Sequence, residues 1–171
     1  MLNMSGDPAH VRAVTWRTSR RVPRAVAQYA IAGSYIPDSA SVVTVDGETV
    51  FSGKGISPHK SHKVIFSGLE PGTRYVYRVG DGKKWSEWNH FVTSDIGFKP
   101  FSFLYFGDIQ NGIREQCSRV VRQAFSQFSE ADFFLFTGDL VNRASDRQWQ
   151  DFYNTGGWIF ASKPSIATPG N

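Results

Sequence analysis

Three short apolar runs each lead into a glycine followed by an oxygen-bearing side chain: Gly107-Asp108, Gly138-Asp139 and Gly170-Asn171. A glycine at the end of a strand lets the backbone turn sharply, so that the next side chain points into the crevice beyond, and functional groups of open α/β sheets collect at the carboxyl ends of their strands. One Gly-Asp is a common turn. Three at corresponding strand ends bring two carboxylates and an amide toward one place, which makes a candidate site for a hard cation. Cys117 is the only cysteine, so an intramolecular disulfide and a Cys-rich metal site are both excluded. Any metal must rest on oxygen or imidazole.

The segments that would position these residues read as alternating strands and helices. Phe101 to Phe106 is a nearly continuous apolar run, the pattern of a strand in a sheet buried on both faces. Ile113, Cys117, Val120, Val121, Ala124, Phe125 and Phe128 then recur at helical spacing, leaving Arg114, Glu115, Arg119 and Arg122 largely off that face. Cys117 on this apolar face reads as packing. Asp132 to Thr137 predicts a second buried strand. Ser145 with Gln148 three residues on predicts a capping box that opens a helix through Tyr153, with Trp149, Phe152 and Tyr153 toward the core. Ser165 to Thr168 predicts a third strand, and the whole is a parallel α/β arrangement.

The first half has a different pattern. Seven short runs rich in β-branched and aromatic residues, at 11–17, 26–31, 41–45, 48–51, 63–67, 73–79 and 87–93, are separated by turn-forming clusters. Those clusters are Ile36-Pro37-Asp38-Ser39, Asp46-Gly47, Glu70-Pro71-Gly72 and Asp81-Gly82. Such a series predicts a β-sandwich. Trp16, Trp85 and Trp88 read as packing aromatics. His59 and His62 are three apart, which on a strand places them on opposite faces and disfavours chelation. With His10 and His90, they read as surface or hydrogen-bonding residues.

At 171 residues and 40% hydrophobic content the chain can bury a core of one or two domains. No apolar run approaches the roughly 20 residues of a membrane-spanning helix, and residues 1–8 lack the apolar stretch of an export signal. The expectation is a soluble chain without a signal peptide. Residues 1–95 carry 12 basic and 8 acidic side chains and residues 96–171 carry 7 of each, so the net +4 belongs to the first half. Its clusters are Arg17, Arg20, Arg21 and Arg24, then Lys54, His59, Lys60, His62 and Lys63. No nucleic-acid motif accompanies them, and they read as solvated surface charge.

Two resemblances join these readings. Leu69-Glu70-Pro71-Gly72-Thr73-Arg74-Tyr75 resembles the strand corner of fibronectin type III domains, with Tyr75 as the corner tyrosine, and Trp85-Ser86-Glu87-Trp88 resembles the WSxW piece of receptor modules. Gly107-Asp108-Ile109-Gln110, Gly138-Asp139-Leu140-Val141-Asn142-Arg143 and Pro169-Gly170-Asn171 resemble the calcineurin-like metallophosphoesterases. Their pattern is Asp-x-His, then Gly-Asp-x-x-Asp or Asn, then Gly-Asn-His. With a fibronectin-like sandwich preceding, and Gly6-Asp7-Pro8 before Trp16-Arg17-Thr18, the chain resembles the purple acid phosphatase branch over essentially its whole length. The fold implied is β + α/β: a fibronectin III-like sandwich at 1–95, followed at 96–171 by a partial α/β metallophosphoesterase domain.

The resemblance implies that phosphate esters are hydrolysed by metal-bound hydroxide at a centre of two divalent ions (Fe, Mn, Zn or Mg). Asp108 would bind the first ion, Asp139 would bridge both and Asn171 would bind the second, with Gln110 and Asn142 as further candidate ligands. Arg143 would touch the substrate phosphate; its other reading is an ion pair with Asp146. Two positions depart from the family. Asn142 stands where purple acid phosphatases have a tyrosinate, and Gln110 where the wider family has histidine, which favours Mg, Mn or Fe(II) over a ferric centre. The family's next histidine would follow Asn171, so the chain is expected to bind metal weakly or not at all, to lack turnover and to self-associate through an uncovered sheet. A secreted, periplasmic or cell-surface location is implied, with no nucleic-acid or membrane partner. The competing reading is a non-catalytic binding module, in which the sandwich with Trp85 and Trp88 recognises a protein or carbohydrate.

Overall fold

The computed structural model describes residues 1–34, 37–52 and 59–171. Lys54 of the basic cluster and Ile36 of the first predicted turn lie outside them. The chain divides into two compact units, Leu2–Phe98 and Lys99–Asn171, the latter joined by Met1.

The first unit is a sandwich of two four-stranded sheets. One places β5 (Glu48–Ser52), β6 (His59–Phe66), β2 (Arg12–Ser19) and β1 (Leu2–Met4) side by side, all antiparallel. The other runs β4 (Val43–Asp46), β3 (Val26–Ile31), β7 (Arg74–Gly80) and β8 (Asn89–Val92), again antiparallel. All seven expected strands are present. The eighth, β1, is three residues long and pairs Leu2 with Val14; so short a run shows no period by which to recognise it. Alternate residues of the two sheets meet in a core of Leu2, Val14, Val64, Phe66, Tyr77 and Phe91.

Tyr75 makes the corner bond: its hydroxyl accepts from the Glu70 amide at 2.8 Å. The Gly6-Asp7-Pro8 segment is tied down as well. Arg12, 2% exposed, donates to the carbonyls of Pro8, Val11 and Val92, and burial lowers its guanidinium to about 10. The two tryptophans of the Trp85-Ser86-Glu87-Trp88 segment flank a cation, with the Arg78 guanidinium 4.7 Å from the Trp85 ring centre and 4.5 Å from that of Trp88.

In the second unit, β9 (Phe103–Phe106), β10 (Phe133–Phe136) and β11 (Ser165–Ala167) form a parallel sheet with β10 in the middle. Ile113–Cys117 forms a π-helical turn leading into α1 (Ser118–Gln127); α2 (Asp146–Gly156) and α3 (Trp158–Ser162) follow β10. The core joins Phe134 and Phe136 of the sheet to Val121, Phe152, Ile159 and Phe160 of the helices, with Leu104 and Phe106 packed against it.

Three expectations are corrected. The Phe101 to Phe106 run is not buried on both faces: Phe103 is 43% and Tyr105 63% exposed. The helices contact the residues that alternate with these, so period-two geometry directs Phe103 and Tyr105 to the other face. Val120 and Phe128 are exposed rather than packed; Val121 is the centre of the buried stripe, and Phe128 sits at the helix end with φ −129° and ψ 51°. The helix opened by Ser145 runs past Tyr153 to Gly156 and is followed by α3.

Candidate metal centre at the strand ends

The register of the parallel sheet aligns its carboxyl ends. Phe106, Phe136 and Ala167 are cross-strand partners, and the ladder extends one step further as the Thr137 amide donates to the Phe106 carbonyl and the Thr168 amide to that of Phe136. Asp108, Asp139 and Asn171 follow these aligned partners by two, three and four residues, so all three lie beyond the same carboxyl edge of the sheet, with Asp139 after the central strand.

Both aspartates sit in left-handed backbone, at φ 52° for Asp108 and φ 49° for Asp139. Among the described residues they are the only non-glycine residues so placed. Left-handed backbone is uncommon outside glycine, aspartate being among the residues that adopt it more readily, and residues held there cluster at functional sites, where the surrounding structure over-determines them. Neither carboxylate makes a side-chain hydrogen bond or ion pair among the described residues. The turns are also in close contact. Gly138, at φ 106°, could not carry a side chain, because its Cβ would stand 2.8 Å from the Gly170 Cα, and a Cβ on Gly170 would overlap the Asp139 carboxylate.

The Asp108 loop is held from two directions. The Cys117 thiol, raised in pKa by burial, shares its single weak hydrogen between the carbonyls of Ile109 at 3.2 Å and Asn111 at 3.3 Å. The Asn142 side-chain amide donates to the Gln110 carbonyl at 3.1 Å and to Asn111 Oδ1 at 2.8 Å. Asn142 thus links the loop after β9 to the loop after β10. The capping box opens α2, with the Gln148 amide donating to Ser145 Oγ. Its return arm differs from the expectation, since Gln148 Oε1 accepts from the Arg143 amide at 2.6 Å and so holds the Arg143 backbone two residues before the cap. Arg143 itself is exposed.

The sheet therefore brings together the turns that carry Asp108, Gln110, Asp139, Asn142 and Asn171. Asn111, Cys117 and Gln148 are supporting residues that sequence reasoning did not place here. Only Gln148 carried a signal, its position in the capping box. Among the described residues no group of three or more His, Cys, Asp or Glu could hold a metal, and the four histidines lie in the first unit. The donors at hand are two unpaired carboxylates and neutral amide oxygens, a set that fits a hard divalent cation.

Comparison with known proteins matches two families along the chain. Residues 1–93 match the family described as purple acid phosphatase, N-terminal domain, and residues 91–171 match the calcineurin-like phosphoesterase family. Acid phosphatase type 7 of Danio rerio is 27% identical over 165 residues, covering 92% of this chain and 36% of that protein. The chain thus spans about a third of the length of this relative. The solved structure of PhoD aligns over 99% of this chain and 38% of its own with a TM-score of 0.55 at 14% identity, a likeness of fold. No helix among the described residues is long and apolar enough to cross a membrane. With one family pattern covering more than half of its length and the other the remainder, the chain belongs to the purple acid phosphatase family of metal-dependent phosphoesterases.

Proposed function

We propose that this chain supplies the Asp108, Asp139 and Asn171 ligands of a centre of two divalent ions that hydrolyses phosphate esters. The observation that carries the reading is the pair of left-handed aspartates, without a side-chain partner among the described residues, beyond the aligned ends of neighbouring parallel strands. Such divalent ions supply positive charge to the phosphate oxygens and lower the pKa of bound water. Asp139, after the central strand, would serve both ions, with Asp108 after one neighbouring strand and Asn171 after the other. Gln110 offers a further amide oxygen. Arg143 presents its guanidinium to the phosphate from a backbone fixed by Gln148, a role suited to its bidentate fork. Oxygen-only donors favour Mg, Mn or Fe(II).

Two carboxylates and a few neutral amides leave much of an ion's shell to water. We therefore infer weak metal binding and no appreciable turnover for this chain by itself, with residues 1–95 folding as a sandwich and 96–171 belonging to the catalytic domain. Export from the cytosol follows from the family reading. The binding-module reading is disfavoured by the Arg78 stack, which occupies one face of both tryptophans.

The test uses Mn2+ and inorganic phosphate. Added Mn2+ should broaden the phosphorus resonance of phosphate in the presence of the chain beyond the effect of free Mn2+. That excess should disappear in Asp139→Asn and weaken in Arg143→Ala. Equal broadening by wild type and Asp139→Asn would contradict the assignment.

A further inference from the structure

Asn142 bonds both to the backbone and to a side chain of the loop that follows Asp108, across more than thirty residues of sequence. A backbone carbonyl can only accept, so the bond to Gln110 requires Asn142 to present its amide nitrogen. The same nitrogen reaches Asn111 Oδ1 at 2.8 Å. Both of its hydrogens are thereby used within the protein. Asn142 lies three residues after Asp139, and Gln110 and Asn111 lie two and three after Asp108, so this side chain joins the two carboxylate-bearing turns within three residues of each aspartate. The Cys117 thiol reaches the Ile109 and Asn111 carbonyls of the same loop.

We propose that Asn142 is a positioning residue: through its amide N–H groups it clasps the Gln110-Asn111 loop and so sets the separation of Asp108 and Asp139, instead of ligating a metal itself. The role rests on the phosphoesterase reading for its consequence, but the clasp can be measured without metal. A ligand and a clasp make opposite demands on chemistry. A ligating amide oxygen is improved by Asn142→Asp, which offers a charged oxygen in the same place. A clasping amide nitrogen is lost in that change: the Asn111 amide can turn its own nitrogen to the new carboxylate, but the Gln110 carbonyl, which can only accept, is left facing an oxygen.

The experiment takes the full chain as wild type, Asn142→Ala, Asn142→Asp and Asn111→Asp. Backbone 15N order parameters are measured in the absence of metal, and Mn2+ affinity is measured from the free-ion electron spin resonance signal. The wild-type order parameters of Gln110 and Asn111 should lie near the rigid value of about 0.85 and fall below about 0.6 in both Asn142 variants. Asn111→Asp retains the acceptor and should keep them high. Mn2+ binding should weaken by about tenfold in Asn142→Ala and at least as much in Asn142→Asp, the effect of losing one well-formed hydrogen-bond anchor. Unchanged order parameters in Asn142→Ala would overturn the clasp, as would an Asn142→Asp variant that binds Mn2+ as tightly as wild type or tighter. A wild-type chain that takes up no Mn2+ would instead overturn the phosphoesterase reading, while the order parameters would still decide the clasp.

Discussion

Gly170 and the Asp139 carboxylate occupy adjoining space with no room between them for a Cβ. The third strand end therefore closes directly onto the carboxylate of the central one. Gly170→Ala should force one of the two turns aside at a cost of about 1–3 kcal/mol, the range for a methyl inserted into a packed contact. The displaced group is Asp139 or Asn171, so Mn2+ uptake should fall along with the melting temperature. Differential scanning calorimetry and a Mn2+ titration check the two effects, and an alanine variant that melts and binds like wild type would contradict the close approach.

The sandwich has its own test at Tyr75. This ring is 4% exposed and its hydroxyl accepts from the Glu70 amide. Tyr75→Phe keeps the packing against Phe91, whose ring centre is 5.5 Å away, and leaves a backbone N–H without its partner. The expected loss is about 1–2 kcal/mol in urea unfolding, with metal binding unaffected. A loss below about 0.3 kcal/mol, within the scatter of exposed substitutions, would show that the corner bond contributes nothing.

His62 should make the protein acid-sensitive. It is 2% exposed, bonded to the hydroxyls of Thr18 and Thr49, with the Trp16 ring centre 5.1 Å away. Burial, and secondarily the charge of Lys60, lowers its pKa from the ordinary 6.5. The unfolded chain then takes up a proton more readily than the native one. Ionisation of His62 therefore leaves stability unchanged well above pH 6.5; as pH falls through about 6.5 stability drops, until the lower native pKa is passed. Between about pH 7.5 and 5.5 the wild type should lose more melting temperature than His62→Gln. Equal losses would exclude His62 as the source.

Much of this was legible in the sequence, and for identifiable reasons. The Gly-Asp, Gly-Asp and Gly-Asn strand ends were visible because glycine and a following oxygen donor are local signals, and the parallel sheet then carries them to one edge. Tyr75 was visible because its corner is encoded within seven residues. The capping box announced Ser145 and Gln148, but not that Gln148 reaches back to Arg143. The clasp between Asn142 and Asn111 was not legible, since it joins loops more than thirty residues apart, and the helical spacing that marked Cys117 as apolar packing did not show that its thiol turns to the carbonyls of the preceding loop. The exposure of Phe103 and Tyr105 was misread because a continuous apolar run carries no information on which face its neighbours cover.

The most direct measurement of the central claim is a calorimetric titration of Mn2+ into the wild-type chain and into Asp139→Asn. Two carboxylates and neutral amides predict binding weaker than about 10⁻⁵ M, lost in Asp139→Asn. The same substitution should leave the fold intact or raise stability by about 0.5–1 kcal/mol, because asparagine tolerates left-handed backbone at least as well and removes one of two unpaired charges. Tight uptake of Mn2+ that survives Asp139→Asn would contradict the account, since the metal would then be held somewhere other than the aligned strand ends.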